Sequence, residues 1–183
     1  MGKLMGWLAA PLAVRALVKA RNILTDATPL NADCGRLCGA ACCQPDETGE
    51  NGMLLWPYEE RLYRRPIDGF PFRLAEDERW YKGGKRLVCQ GHCPRAHRPL
   101  ACRVFPLRMR LTTGGAEGED RVTAEIDPRA WATCPLPEAG GLRAVSGAFI
   151  KAVEAAGQAL CRNVYLLEAL LEDQRRMDEL RRL

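Results

Sequence analysis

Residues 34–43, CGRLCGAACC, carry Cys34, Cys38, Cys42 and Cys43, and residues 89–106, CQGHCPRAHRPLACRVFP, add Cys89, Cys93 and Cys102. Most of the nine cysteines in this 183-residue chain thus fall in two short clusters. Nothing else in the sequence points so directly at chemistry, and the clusters read as a metal-site proposal. They make the middle of the chain an irregular, metal-centred region. The rest of the fold is read outward from it.

At four-residue steps, Cys34, Cys38 and Cys42 project from one face of a helical turn, while Cys43 points about a quarter turn away. Adjacent thiols do not easily share one compact site, so this one segment can feed two. The spacing is not the C-x2-C knuckle of zinc ribbons, and it lacks the x2 spacing that ends the radical-SAM pattern. Cys134 supplies an eighth thiol. Two four-thiolate sites fit that count, and so does one cluster with spare redox-active thiols. Cys161 lies inside an apolar helical pattern and reads as a small buried hydrophobe. His92 and His97 lie in the second cluster, where a hydrogen-bonding or exposed role is favoured over ligation.

Thiolate is a soft donor that selects zinc, copper(I) or iron-sulfur clusters over magnesium or calcium, and ligation keeps it deprotonated at neutral pH. Four sulfurs around zinc make a redox-silent structural site. A 4Fe-4S cluster carries electrons or binds a substrate at an open iron. The sequence leaves that choice open.

Composition sets the compartment argument. At 47% hydrophobic residues, 7% aromatic and formal charge +4, the chain has enough apolar material for a globular core and does not need disulfide staples. Arg15, Lys19 and Arg21 interrupt the apolar run at residues 5–24, no clean cleavage site follows, and no stretch reaches the roughly 18 uncharged apolar residues of a spanning helix. The expectation is a cytoplasmic protein with reduced thiols. Leu4, Trp7, Leu8, Leu12, Ala16 and Ile23 form an apolar face on a basic amphipathic helix. A helix packed on its own domain is the favoured reading, with peripheral contact to the inner face of the membrane through residues 1–24 as the second.

The spacing of Leu55, Tyr58 and Leu62 predicts a short helix with Pro57 in its first turn, and residues 76–81 another helical turn. Residues 104–112 and 122–126 are β-rich runs around Gly114, Gly115 and Gly118 and predict a hairpin with an open edge. Leu142, Val145, Phe149, Val153, Ala156, Leu160, Val164, Leu167 and Leu171 recur at steps of three and four, predicting one long helix running on to Leu180. The expected fold class is therefore α+β: residues 1–29 an amphipathic helix, 30–138 a cysteine-rich metal-binding domain with a β-hairpin, and 139–183 a long helix packed on it.

The Cys34 to Cys43 run, with its terminal pair and intervening Gly39, together with Arg98-Pro99-Leu100-Ala101-Cys102-Arg103-Val104-Phe105-Pro106, resembles the YkgJ-like cysteine-cluster proteins, a family described as zinc- or iron-chelating. The second run looks like that family's RPxxCRxFP signature, and the likeness covers roughly Asp33 to Cys134. The family pattern is written CxxCxxCC, whereas both internal gaps here are three residues. The resemblance implies a cytoplasmic metal-binding, iron-sulfur or zinc domain. Some relatives carry such a domain inside flagellin lysine methylases, but no substrate domain is visible here and that activity is not carried over.

The metal ligands expected are Cys34, Cys38, Cys42, Cys43, Cys89, Cys93, Cys102 and Cys134. Arg98 and Arg103 flank Cys102 and are expected to donate hydrogen bonds to its sulfur or to neighbouring ones; a surface pairing with carboxylates is the plainer alternative. Three functions follow. The first is an iron-sulfur protein with a redox or maturation role. The second is a structural zinc module whose amphipathic termini bind a protein partner. The third, nucleic-acid binding through Arg61, Arg64, Arg65, Arg95, Arg98, Arg108 and Arg110, has charge but no reading motif and is disfavoured. There is no phosphate loop, GxSxG or HExxH, so hydrolysis is disfavoured as well.

Overall fold

The structure is a computed structural model that describes residues 2–30, 35–44, 49, 52–89, 93–114 and 120–180. It mixes helices with two small antiparallel sheets, in agreement with the α+β expectation. Helix α1 spans Gly2–Ile23, and α4 (Gly147–Cys161) packs against both α1 and a hairpin of β4 (Leu107–Thr112) and β5 (Arg121–Ile126). Leu17, Leu107, Val122, Phe149, Val153, Leu160 and Leu170 are all buried in this main core.

The apolar face of α1 is rotated from the expected one. Ala10, Ala13, Leu17 and Ala20, with Leu24 just past the helix, are wholly buried, and Ala16 and Ile23 of the expected face are partly buried against the same core, whereas Leu12 is 59% exposed; the side chains of Leu4, Trp7 and Leu8 lie outside the described ones. Alanine is too small to stand out in a hydrophobic pattern, yet it lets a second helix approach closely. With this face turned to the protein, the structure gives no support to the membrane reading. No helix among the described residues is long and apolar enough to cross a membrane.

The single C-terminal helix is corrected to two. Helix α4 ends at Cys161 and α5 spans Val164–Leu180. Between them, the Asn163 carboxamide oxygen accepts the Leu166 N–H at 3.3 Å, and the Asn163 N–H donates to the Leu160 carbonyl. Asparagine competes with the helical ladder in this way and starts a new helix. The apolar spacing runs through the break, so periodicity alone does not reveal it.

The hairpin stands where it was expected, but its outer edge is covered. The Gln174 side chain of α5 accepts the Leu111 N–H at 2.9 Å and donates to the Leu111 carbonyl at 3.1 Å. On the other face of the hairpin, Gly157 of α4 lies so close that a Cβ there would sit 2.5 Å from Val122 Cγ1 and 3.3 Å from Met109 Cγ. Val122 is β-branched and buried and has nowhere to turn. Gly157→Ala is therefore expected to destabilise by about 1–3 kcal/mol despite alanine's better helix propensity. Urea unfolding that shows equal or higher stability would contradict this.

A second sheet was not expected. Strands β1 (Gly52–Leu54), β2 (Phe72–Glu76) and β3 (Lys85–Cys89) pair antiparallel in the order β1-β3-β2, with Phe72 opposite Cys89 and Leu54 opposite Arg86. The predicted helix around Tyr58 shrinks to a 3-10 turn over Glu59–Tyr63, and residues 77–81 form a turn rather than a helix. Beside the sheet lies a small core of Leu55, Tyr63, Phe70 and Leu87. Next to it, Trp56 and Trp80 belong to the main core, where they meet edge to face and the Trp80 indole N–H donates to the Ala169 carbonyl of α5 at 3.0 Å.

Candidate metal centre

Backbone conformation first decides how the thiols are aimed. Helix α2 (Gly35–Cys38) is a single turn, and Gly39 and Ala40 follow it with φ of 60° and 54°. Two successive left-handed residues end any helix. Ala41–Cys43 then form a 3-10 turn, closed by the Cys43 N–H on the Ala40 carbonyl at 2.7 Å. The expected shared helical face of Cys38 and Cys42 is thereby corrected. Cys34 and His92 lie outside the described residues.

The other thiols come from separate elements. Cys89 ends β3, Cys93 opens the following loop, and Cys102 lies in the short helix α3 (Leu100–Val104). Cys134 follows the 3-10 turn Pro128–Ala132 and donates its N–H to the Ala130 carbonyl at 2.8 Å. All seven described candidates, Cys38, Cys42, Cys43, Cys89, Cys93, Cys102 and Cys134, line one cavity of about 950 Å³. Cys161 is absent from that wall and packs against the main core instead.

Within the cavity the thiols divide. Burial pushes the Cys102 thiol well above its ordinary range, and the neighbouring Cys93, Cys43 and Cys89 push it further, as does Glu59. Burial likewise raises Cys93, with Cys89 and Cys43 adding to the rise while the Arg98 guanidinium opposes it as a neighbouring charge and a hydrogen-bond donor. Cys43, Cys89, Cys93 and Cys102 therefore sit within one another's electric field. Cys134, raised mainly by burial, feels Cys38 instead. The Cys42 sulfur lies 3.9 Å from that of Cys43.

Such a group of thiols cannot ionise together unless a cation offsets their mutual repulsion. Among the described residues no three Cys, His, Asp or Glu side chains close on a point that a single ion could occupy. The donor set fits a soft metal: sulfur ligands, a largely apolar wall, and Arg98 hydrogen-bonded to the Cys93 sulfur.

Arg103 does something else. Its Nε donates to the Arg98 carbonyl, its Nη1 to the Arg21 carbonyl and its Nη2 to the Ala96 carbonyl, at 2.8–3.0 Å. It therefore locks the Cys93–Cys102 loop to the end of α1 rather than serving a sulfur. Arg95 does similar work on the carbonyls of Leu24, Thr25 and Ala27. Desolvation lowers Arg103 to about 10. The His97 ring stacks on Phe70, and the His97 carbonyl accepts the Tyr63 hydroxyl.

Glu59 is the residue that sequence reasoning missed. It is wholly buried, and its two carboxylate oxygens accept the Trp56 N–H at 3.1 Å and the Leu100 N–H at 2.7 Å. The second bond holds the start of the α3 turn that carries Cys102. Burial pushes the Glu59 carboxyl up, against the lowering by these two amides and by Arg21 and Arg103. A glutamate in an ordinary polar stretch gives no sequence signal for such a role. No protein-family profile, curated protein or solved structure matches this chain.

Proposed function

We propose that this protein is a metal-binding cysteine-cluster protein carrying an iron-sulfur centre with a redox or maturation role, in keeping with its resemblance to the YkgJ-like family. The observation that carries the reading is the convergence of Cys43, Cys89, Cys93 and Cys102 from separate elements onto one cavity, where the other three make the buried Cys102 thiol harder to ionise. Four thiolates are the ligand set of a 4Fe-4S centre. Cys43, Cys89, Cys93 and Cys102 would hold it, with Cys38, Cys42, Cys134 and Cys34 as a second set. Such a centre, when bound, supplies one-electron chemistry tuned by the hydrogen bonds its sulfurs receive. Arg98 is placed to give one.

A structural zinc module that mediates contact with a protein partner is the second reading, favoured by one distance. The Cys42 and Cys43 sulfurs are 3.9 Å apart, close to the separation of about 3.8 Å for two thiolates on a tetrahedral ion with bonds of about 2.3 Å. Metal and acid-labile sulfide analysis of anaerobically purified protein, with optical and paramagnetic spectra, decides between them. Iron and sulfide in matching amounts are expected. Full zinc occupancy without sulfide overturns the iron-sulfur reading and leaves the zinc module.

A further inference from the structure

Cys42 and Cys43 differ from the other thiols of the cavity in being chain neighbours whose sulfurs already lie 3.9 Å apart. They also differ from each other. Cys42 is exposed, whereas Cys43 is half-buried and lies in the electric field of Cys93 and Cys102. The pair therefore joins a residue open to solvent to a member of the group proposed to hold the metal.

The turn that carries the pair can shift without disturbing a core. Ala41–Cys43 holds no buried residue. Two of the hydrogen bonds that shape it stay within residues 39–44: the Gln44 carboxamide donates to the Gly39 carbonyl at 2.8 Å, and the Cys43 N–H to the Ala40 carbonyl at 2.7 Å. Cα atoms of neighbouring residues are about 3.8 Å apart, short of the roughly 4.4–6.8 Å that disulfides usually span. A bridge between neighbours is accordingly strained and easily reduced. Exposed, strained disulfides are the labile and regulatory kind.

We propose that Cys42 and Cys43 form a reversible dithiol switch, which a hydroperoxide oxidises to a bridge between neighbours that withdraws Cys43 from the centre. The Cys42 sulfur attacks one peroxide oxygen, the O–O bond breaks and an alcohol leaves, giving a sulfenic acid. The Cys43 sulfur then attacks the Cys42 sulfur; the S–S bond forms, the S–O bond breaks and water departs. Two thiols and one hydroperoxide become one disulfide, one alcohol and one water. Two electrons pass from sulfur to oxygen, and the two thiol protons end on the alcohol and the water. A disulfide sulfur has no thiolate charge to offer a soft metal, so the oxidised centre keeps three of its four ligands. That loss of metal rests on the metal-binding reading; formation of the bridge does not.

The test uses the full chain loaded anaerobically with zinc, a redox-silent probe metal. It is treated with one equivalent of tert-butyl hydroperoxide and then alkylated with iodoacetamide. Tryptic cleavage leaves Cys38, Cys42 and Cys43 together on the peptide of residues 37–61. That peptide is expected to lose two hydrogens and to carry the label on Cys38 alone, and dithiothreitol should restore label to Cys42 and Cys43. Zinc content should fall as the bridge forms and recover when the reduced protein is given zinc again. In Cys42→Ser, a change at an exposed position, Cys38 and Cys43 should both stay labelled. Should that variant not fold, the bridge mapped in the wild-type chain decides alone. Label retained on Cys42 and Cys43, a bridge that includes Cys38, or oxidation that dithiothreitol does not reverse overturns the proposal. Reduced protein that takes up neither zinc nor iron yet forms the bridge counts against the metal reading and leaves the dithiol; equal zinc content in bridged and reduced protein does the reverse.

Discussion

Cys102→Ser is expected to empty the Cys43, Cys89, Cys93 and Cys102 group of metal and to destabilise the chain by several kcal/mol, lowering the melting temperature by roughly 10 °C or more. Cys102 has the most strongly raised thiol of the set because it is buried and faces three others. A hydroxyl in its place is a poor soft-metal ligand, and three thiols do not complete a four-thiolate site. Cys38→Ser should act on the other group, beside Cys134, and so leave a different spectrum. Cys161→Ser, away from the cavity, should retain full metal. Unchanged stoichiometry and melting in both Cys102→Ser and Cys38→Ser would refute the ligand assignment. Because thiols held above their ordinary range must release protons when they ligate, apparent metal affinity should rise with pH and fall on acidification.

Glu59→Ala is expected to cost about 3–6 kcal/mol, since it strips a partner from two buried amides at about 1–3 kcal/mol each and leaves a cavity besides. The Leu100 amide is the one that matters for function. Freed from Glu59, the turn bearing Cys102 loses its anchor, so metal should bind more weakly as well as the fold being less stable. Chemical denaturation within about 1 kcal/mol of wild type would reject this role. The pH dependence has a fixed sign. A carboxyl raised in the folded state binds more protons there than in the unfolded chain. Its contribution therefore favours folding most below the ordinary value of 4.5 and erodes as pH rises from there through the folded value. Subtracting the alanine variant's stability curve from that of wild type should reveal that slope.

The parts of the fold that could be read from sequence were those encoded locally. The β4–β5 hairpin has β-branched runs around glycines, and the C-terminal helices have a long apolar period. What stayed hidden was held by distant partners. β1, β2 and β3 are short, and apart from the adjacent Leu87 and Val88 of β3 they are only partly buried or exposed, so no clean alternation marks them. The helix break at Asn163 depends on one side-chain bond that apolar spacing does not encode. The site divides in the same way. Thiol clustering named seven residues that the structure brings to one cavity. The left-handed Gly39 and Ala40, which end the helical turn between Cys38 and Cys42, have no counterpart in the cysteine spacing. Arg98 and Arg103 look equivalent around Cys102 in the sequence, yet one reaches a sulfur and the other three carbonyls.

The two hydrogen bonds from Gln174 to Leu111 carry a consequence for self-association. An unpaired strand edge is a template on which another chain can add itself. At Leu111 the edge already has the donor and acceptor it would offer a newcomer, both taken by a side-chain amide that mimics a peptide group. The hairpin therefore stays two-stranded at that point, and α5 serves as its chaperone as well as its packing partner.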